Sequence, residues 1–200
     1  MKPSTVPVPS TLARRPRQGG LVVPFFVADP PKGKPFDFRV QDAHKRALCV
    51  HYGHCDICGE HVKGPLWFII DPLGYFNRSH SHAGSHRECL DYARAVCPFL
   101  LLPERMWREQ GIDDRARKSL ALVEGKSRLF VQMSAKKQSL NRYLVDGQQV
   151  QVVETSLPQA SIWYEITDEG TQRLPHAEGL AAGRAYYERR TAELRAEVGA

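Results

Sequence analysis

Apolar positions change period several times along the chain, and each change predicts an element. Residues 21–28 (LVVPFFVA) form a β-branched and aromatic run, a strand that Pro24 confines to an edge or a bulge. The cluster Asp29-Pro30-Pro31-Lys32-Gly33 predicts a turn, and residues 36–40 (FDFRV) alternate as a second strand does. Residues 41–49 (QDAHKRALC) predict one or two turns of helix, residues 66–70 (LWFII) a short buried strand, and Asp71-Pro72-Leu73-Gly74 a turn.

The clearest helical period begins at Ser85. Ser85 and Glu88 have capping-box spacing, and Cys89, Leu90, Ala93, Val96 and Cys97 then share one face until Pro98 stops the helix. Residues 98–103 (PFLLLP) read as an apolar connector, followed by short helices at 104–110 and 113–123. Strands are predicted at 127–133, 140–145, 149–154 and 162–166, with Asp146-Gly147 turning the second into the third. A charged, alanine-rich helix covers 176–198 despite Gly179 and Gly183. No internal repeat is visible.

Composition narrows this picture. Two hundred residues with 42% apolar and 25% charged positions describe one ordinary globular domain or two small ones. No apolar run reaches the about 18 residues of a membrane-spanning helix, and the basic start lacks the apolar stretch of a secretory signal. Residues 1–20 hold four prolines, four basic groups and no acid, which predicts a flexible basic tail. The net charge of +6 is otherwise concentrated in 104–150, whose ten basic groups face six acidic ones. Five cysteines, an odd number, argue against a closed disulfide framework and for a reducing compartment.

Seven of the eight histidines lie between His44 and His86, together with Cys49, Cys55 and Cys58. Cys55-Asp56-Ile57-Cys58-Gly59 has the form of a zinc knuckle, in which a tight turn brings two thiolates together. His86 and Cys89 form a second pair, three apart on the first turn of the predicted helix, where the helix N-terminus favours thiolate. The intervening 27 residues leave room for a hairpin around 66–77. Knuckle, hairpin, then helix is the order of a treble clef. Cys55, Cys58, His86 and Cys89 therefore form a candidate Cys₃His site, and four filled positions describe a structural Zn²⁺. Cys97 lies two turns beyond Cys89, too far to share the ion, and reads as a core cysteine. Cys49, His51, His54 and His61 flank the knuckle as surface or supporting groups, His54 being the alternative ligand.

His80 and His82, in the string Asn77-Arg78-Ser79-His80-Ser81-His82, supply a catalytic alternative. A treble clef with histidines near its second strand resembles a metal-dependent HNH nuclease, in which one histidine activates water. The acidic-His pair usual at the strand end of such sites is missing here. No phosphate loop, nucleophile elbow or placed carboxylate pair appears elsewhere.

Five stretches occur in an order that resembles a family of uncharacterised phage, prophage and bacterial proteins: VVPFFVA at 22–28, FDFR at 36–39, the knuckle at 55–59, FIIDPLGYFNR at 68–78 and SHRECLDYARAVCPFLLLP at 85–103. That family carries a PVPxFV…DFR…CxxCG…FVIGPM…NR…PPSHxxCAxYAxxxCPFL pattern, matched over roughly residues 18–104. The resemblance implies that Cys55, Cys58, His86 and Cys89 are metal ligands, that Asn77-Arg78 and Cys97-Pro98-Phe99 are recurrent positions, and that the context is phage or prophage. It implies no activity. The family's Pro-Pro before Ser-His is His82-Ala83-Gly84 here, and its Gly-Pro-Met is Asp71-Pro72-Leu73.

The expectation is an α+β chain: a basic tail at 1–20, a treble-clef-like zinc core at 21–103, and short β-hairpins with a C-terminal helix at 104–200. Function is expected to be non-enzymatic, an accessory protein in the cytoplasm of a bacterium or infected host cell that binds a macromolecule, either DNA or RNA or a host protein. Arg115, Arg117, Lys118, Lys126, Arg128, Lys136, Lys137 and Arg142 form the candidate nucleic-acid surface.

Overall fold

The computed structural model describes residues 6–38, 40–97, 100, 128–145 and 147–198. The connector at 98–103 apart from Leu100, the helices expected at 104–110 and 113–123, and Arg115, Arg117, Lys118 and Lys126 lie outside the described residues.

Mixed helix and sheet is the architecture. Strands β1 (Arg17–Gln18) and β2 (Leu21–Val22) form a small ribbon. Helix α1 (Ala43–Tyr52) starts where the Asp42 carboxylate accepts from the amides of His44 and Lys45. Strand β3 (Leu66–Ile70) buries Leu66, Phe68 and Ile70 on one face, as its alternation requires. Next come α2 (Pro72–Asn77), β4 (Ser79–His80) and α3 (Arg87–Val96). The remaining elements are β5 (Leu129–Ala135), β6 (Gln138–Val145), β7 (Gln148–Thr155), β8 (Pro158–Thr167), β9 (Gly170–Arg173) and α4 (His176–Val198).

Two antiparallel sheets organise the chain, one in the order β3-β5-β8-β9 and one in the order β4-β7-β6. Because β3 pairs with β5, one sheet runs across the expected boundary near residue 103. The main core gathers Leu12, Val22, Ile57, Val62, Phe68, Val131, Met133 and Trp163 around Cys55, Cys58 and Cys89.

Several expectations are corrected. Residues 6–20 are folded rather than a free tail: Leu12, in a 3-10 turn at Ser10–Leu12, is fully buried, and the Arg15 guanidinium donates to the carbonyls of Val23 and Pro24 at 3.1 Å each. Composition misses this because one leucine and a few donors suffice when a neighbouring surface receives them. The run at 21–28 is a strand only over Leu21–Val22, since Pro24 cannot donate and Phe25 and Phe26 instead donate to the carbonyls of Ile57 and Asp56. The described residues of 36–40 form no strand. The Gln18 amide satisfies both backbone groups of Phe36, and Val40 closes a turn on Asp37. Asp71 and Pro72 open α2 rather than a simple turn, because an aspartate cap followed by proline suits a helix start equally well. The hairpin expected at 66–77 is thus a strand and a helix.

Ser85 does not cap α3. Its amide and carbonyl pair with Trp67 at 2.8 and 3.0 Å, which moves the cap position to His86, and Glu88 accepts from the Thr11 hydroxyl instead.

Candidate metal centre

The knuckle turns because the Gly59 amide donates to the Cys55 carbonyl at 2.8 Å, with Gly59 itself at φ 85°. A Cβ at Gly59 would also stand 2.7 Å from the Phe25 ring, so glycine is required twice over. The second pair comes from the start of α3, packed on β3 through the Trp67–Ser85 bridge. The four donor atoms of Cys55, Cys58, His86 and Cys89 all lie within 4.8 Å of one another. His86 Nδ1 is 3.4 Å from Cys58 Sγ and 3.9 Å from Cys89 Sγ. A tetrahedral zinc with its usual bond lengths has S···S edges of about 3.8 Å and S···N edges of about 3.5 Å. The donor set fits that ion.

Neighbouring groups orient the donors and stabilise the Cys55 thiolate. Amides of Cys58 and Glu60 donate to Cys55 Sγ and Cys58 Sγ, both at 3.4 Å, and the His86 amide reaches Cys55 as well. Thr11 Oγ1 sits 3.4 Å from Cys89 Sγ. His86 Nε2 lies 3.2 Å from the His61 carbonyl, which selects the tautomer with a proton on Nε2 and a free lone pair on Nδ1. Hydrogen bonds from Cys58 and Cys89 drive the Cys55 thiol far down. The resulting anion pushes Cys58 up to about 11 and Cys89 higher still. Three thiolates cannot share this volume without a cation, and a divalent ion removes the conflict.

Cys49 is fully buried, its thiol held well above the ordinary range by burial and donating to the Cys55 carbonyl at 3.8 Å. Cys97 is half-buried at the end of α3. His54, the alternative ligand, instead has Nδ1 2.9 Å from the Gly59 carbonyl, while His51 and His61 are exposed. Thr11 is a site residue that sequence reasoning missed, and His61, expected as a surface or supporting group, acts through its carbonyl. Thr11 lies in the supposed tail, and a backbone carbonyl carries no residue-type signal.

His80 and His82 line a cleft of about 440 Å³ together with Asp71, Asn77, Ser79 and Ser81. Both ring nitrogens of His80 are nevertheless withdrawn from solvent, and its ring packs on Phe68 at 4.7 Å. His82 Nδ1 is 3.3 Å from the buried Asp56 carboxylate, and the ring meets Phe26 edge-on at 5.0 Å. His80 thus has no water-facing nitrogen, whereas His82 keeps Nδ1 on Asp56 with its side chain 41% exposed. Among the basic candidates, Arg128, Lys136, Lys137 and Arg142 are exposed.

Burial lowers the His80 pKa to about 4 from its ordinary 6.5. The unfolded chain therefore binds the extra proton first, so this group's contribution is intact above pH 6.5 and is lost as pH falls towards 4. Urea midpoints of the native chain and His80→Phe should run parallel above that window and diverge within it, the native chain falling faster. Parallel curves throughout would show that the imidazole is not desolvated.

Fold and site together define an α+β chain built around a Cys₃His cluster able to hold a metal ion. Comparisons with protein-family models, curated proteins and solved structures found no match. Among the described residues no helix is long and apolar enough to cross a membrane.

Proposed function

We propose that the chain is a non-enzymatic, zinc-stabilised accessory protein of phage or prophage context that binds a macromolecular partner. The observation that carries this reading is the closed donor set. Cys55, Cys58, His86 and Cys89 fill a tetrahedron, three of them buried, and the surrounding contacts are amides, a carbonyl and a hydroxyl that hold ligands in place. Catalytic zinc keeps a position open for water or substrate. Three thiolates and one imidazole favour Zn²⁺ over the harder divalent ions. We read the core as treble-clef-like, with the knuckle at 55–59, a single Trp67–Ser85 bridge in place of a full hairpin, and α3 supplying the second ligand pair.

Elemental analysis of the purified chain should find one zinc per molecule, retained through dialysis. Gel shifts on DNA and RNA at low salt, weakening as salt rises, are the expected result for a nucleic-acid partner; no shift at low salt favours a host protein. Plasmid DNA incubated with Mg²⁺ or Mn²⁺ should stay intact. Cleavage that His80→Ala or His82→Ala abolishes would replace this reading with the nuclease.

A further inference from the structure

One end of the molecule collects exposed groups from four separate segments. Helix α1 runs along the second sheet: Arg46 donates to the Gln151 side chain at 3.0 Å, and three residues later the Cys49 carbonyl accepts from Gln138 at 3.1 Å. Gln151 faces Arg142 across the β6–β7 pair, whereas Gln138 begins β6. The axis of α1 therefore points at the β5–β6 turn, where Lys136 and Lys137 are exposed. At the end of α1, Tyr52 is 64% exposed. The adjoining Gly53 carbonyl accepts from the Val62 amide at 2.8 Å, which sets Lys63 beside it. From there the chain enters β3, whose Leu66 pairs with Ala135, one residue before Lys136. Leu157, 72% exposed, joins the same end because the neighbouring Ser156 hydroxyl accepts from the amides of both Lys136 and Lys137 at 3.2 Å.

The three ammonium groups at this end have no ion pair with a described residue, and the exposed acid between Tyr52 and Lys63 is Glu60, Asp56 being buried. An exposed flat ring at the same end as three unpaired lysines is charge-complementary to a polyanion that also offers π-faces. Single-stranded nucleic acid offers both, because its phosphates meet lysines while an unpaired base stacks on the ring. A duplex hides its base faces, and an acidic peptide has no use for the ring. We propose that Tyr52, Lys63, Lys136 and Lys137 form a docking surface for single-stranded nucleic acid, an inference that rests on the reading of the chain as a macromolecule binder and names the partner.

Fluorescence anisotropy of a short labelled oligothymidylate on the full zinc-loaded chain tests it. Three lysine–phosphate contacts predict a slope of log affinity against log salt of about −2. Lys136→Gln with Lys137→Gln should cut that slope to about −0.7. Tyr52→Ala should weaken binding about 5- to 100-fold while leaving the slope unchanged. All three positions are exposed, so zinc content and thermal midpoint should hold in each variant. Affinity and slope unmoved by either set of changes would overturn the surface but leave the general reading standing. Equal affinity for a blunt duplex, or equally tight competition by a polyglutamate peptide, would overturn the single-strand assignment. A chain without zinc would sink the reading beneath it.

Discussion

Cys58→Ala, or removal of the metal with a strong chelator, will unfold the core built around Cys55, Cys58 and Cys89. Cys55, Cys58 and Cys89 are not at the rim of this core; they stand inside it with Leu12, Val22, Ile57, Val62, Leu66 and Phe68. Structural zinc contributes about 10–16 kcal/mol in small zinc modules, whereas the net stability of a whole domain is about 5–15 kcal/mol. With zinc in the cluster as proposed, losing the ion outweighs what the remaining contacts supply. The loss has two parts: the bonds themselves, and the thiolate repulsion that the ion had cancelled. The N-terminal segment should follow, since Thr11 and Leu12 rest on Cys89 and its surroundings. Proteolysis near residues 6–20 is the local readout, and urea melts with and without chelator give the global one. Cys97→Ser is the control, expected to keep one zinc and most of the stability. Identical melts in the presence and absence of chelator would refute the metal's structural role.

What the sequence made legible follows from which signals are local. The ligand set was readable because residue type and spacing alone bring the two pairs together, and the apolar run at 66–70 and the Asp146-Gly147 turn signal are local too. The pairing of β3 with β5 was not readable, since it joins segments more than sixty residues apart and nothing in either strand names the other. Ser85 illustrates competition between levels. Its capping-box spacing is real, but its backbone is claimed by Trp67, and His86 takes the cap position without using its side chain to cap. The N-terminal segment failed for a further reason. Composition averages over twenty residues, while Leu12 and Arg15 act singly on a surface built elsewhere.

Gly179 and Gly183 carry the second large prediction, and its sign is informative. A glycine inside a helix costs about 1 kcal/mol relative to alanine, so on an exposed face either substitution would stabilise α4. Here the two glycines, four apart and thus on one face, lie against Trp163, the largest fully buried side chain. A Cβ at Gly179 would stand 2.2 Å from Trp163 Cβ, and one at Gly183 2.4 Å from Cζ3. Trp163 cannot retreat readily, because Tyr75 packs on its other side at 5.0 Å and α4 is also held to α2 by the Tyr187–Asn77 hydrogen bond. Overpacking costs about 1–3 kcal/mol per site, which exceeds the helix-propensity gain. Each alanine should therefore destabilise the chain, and Gly183→Val should detach the helix. Trp163→Ala alone should cost about 3–5 kcal/mol. In that background Gly183→Ala should change sign and stabilise, since the obstacle is gone and the propensity gain remains. Thermal or urea melts of the four members of this cycle measure the reversal. Additive effects would mean that the helix does not rest on the indole, whereas the sign change would identify the two glycines as a socket for Trp163 that joins α4 to the sheet.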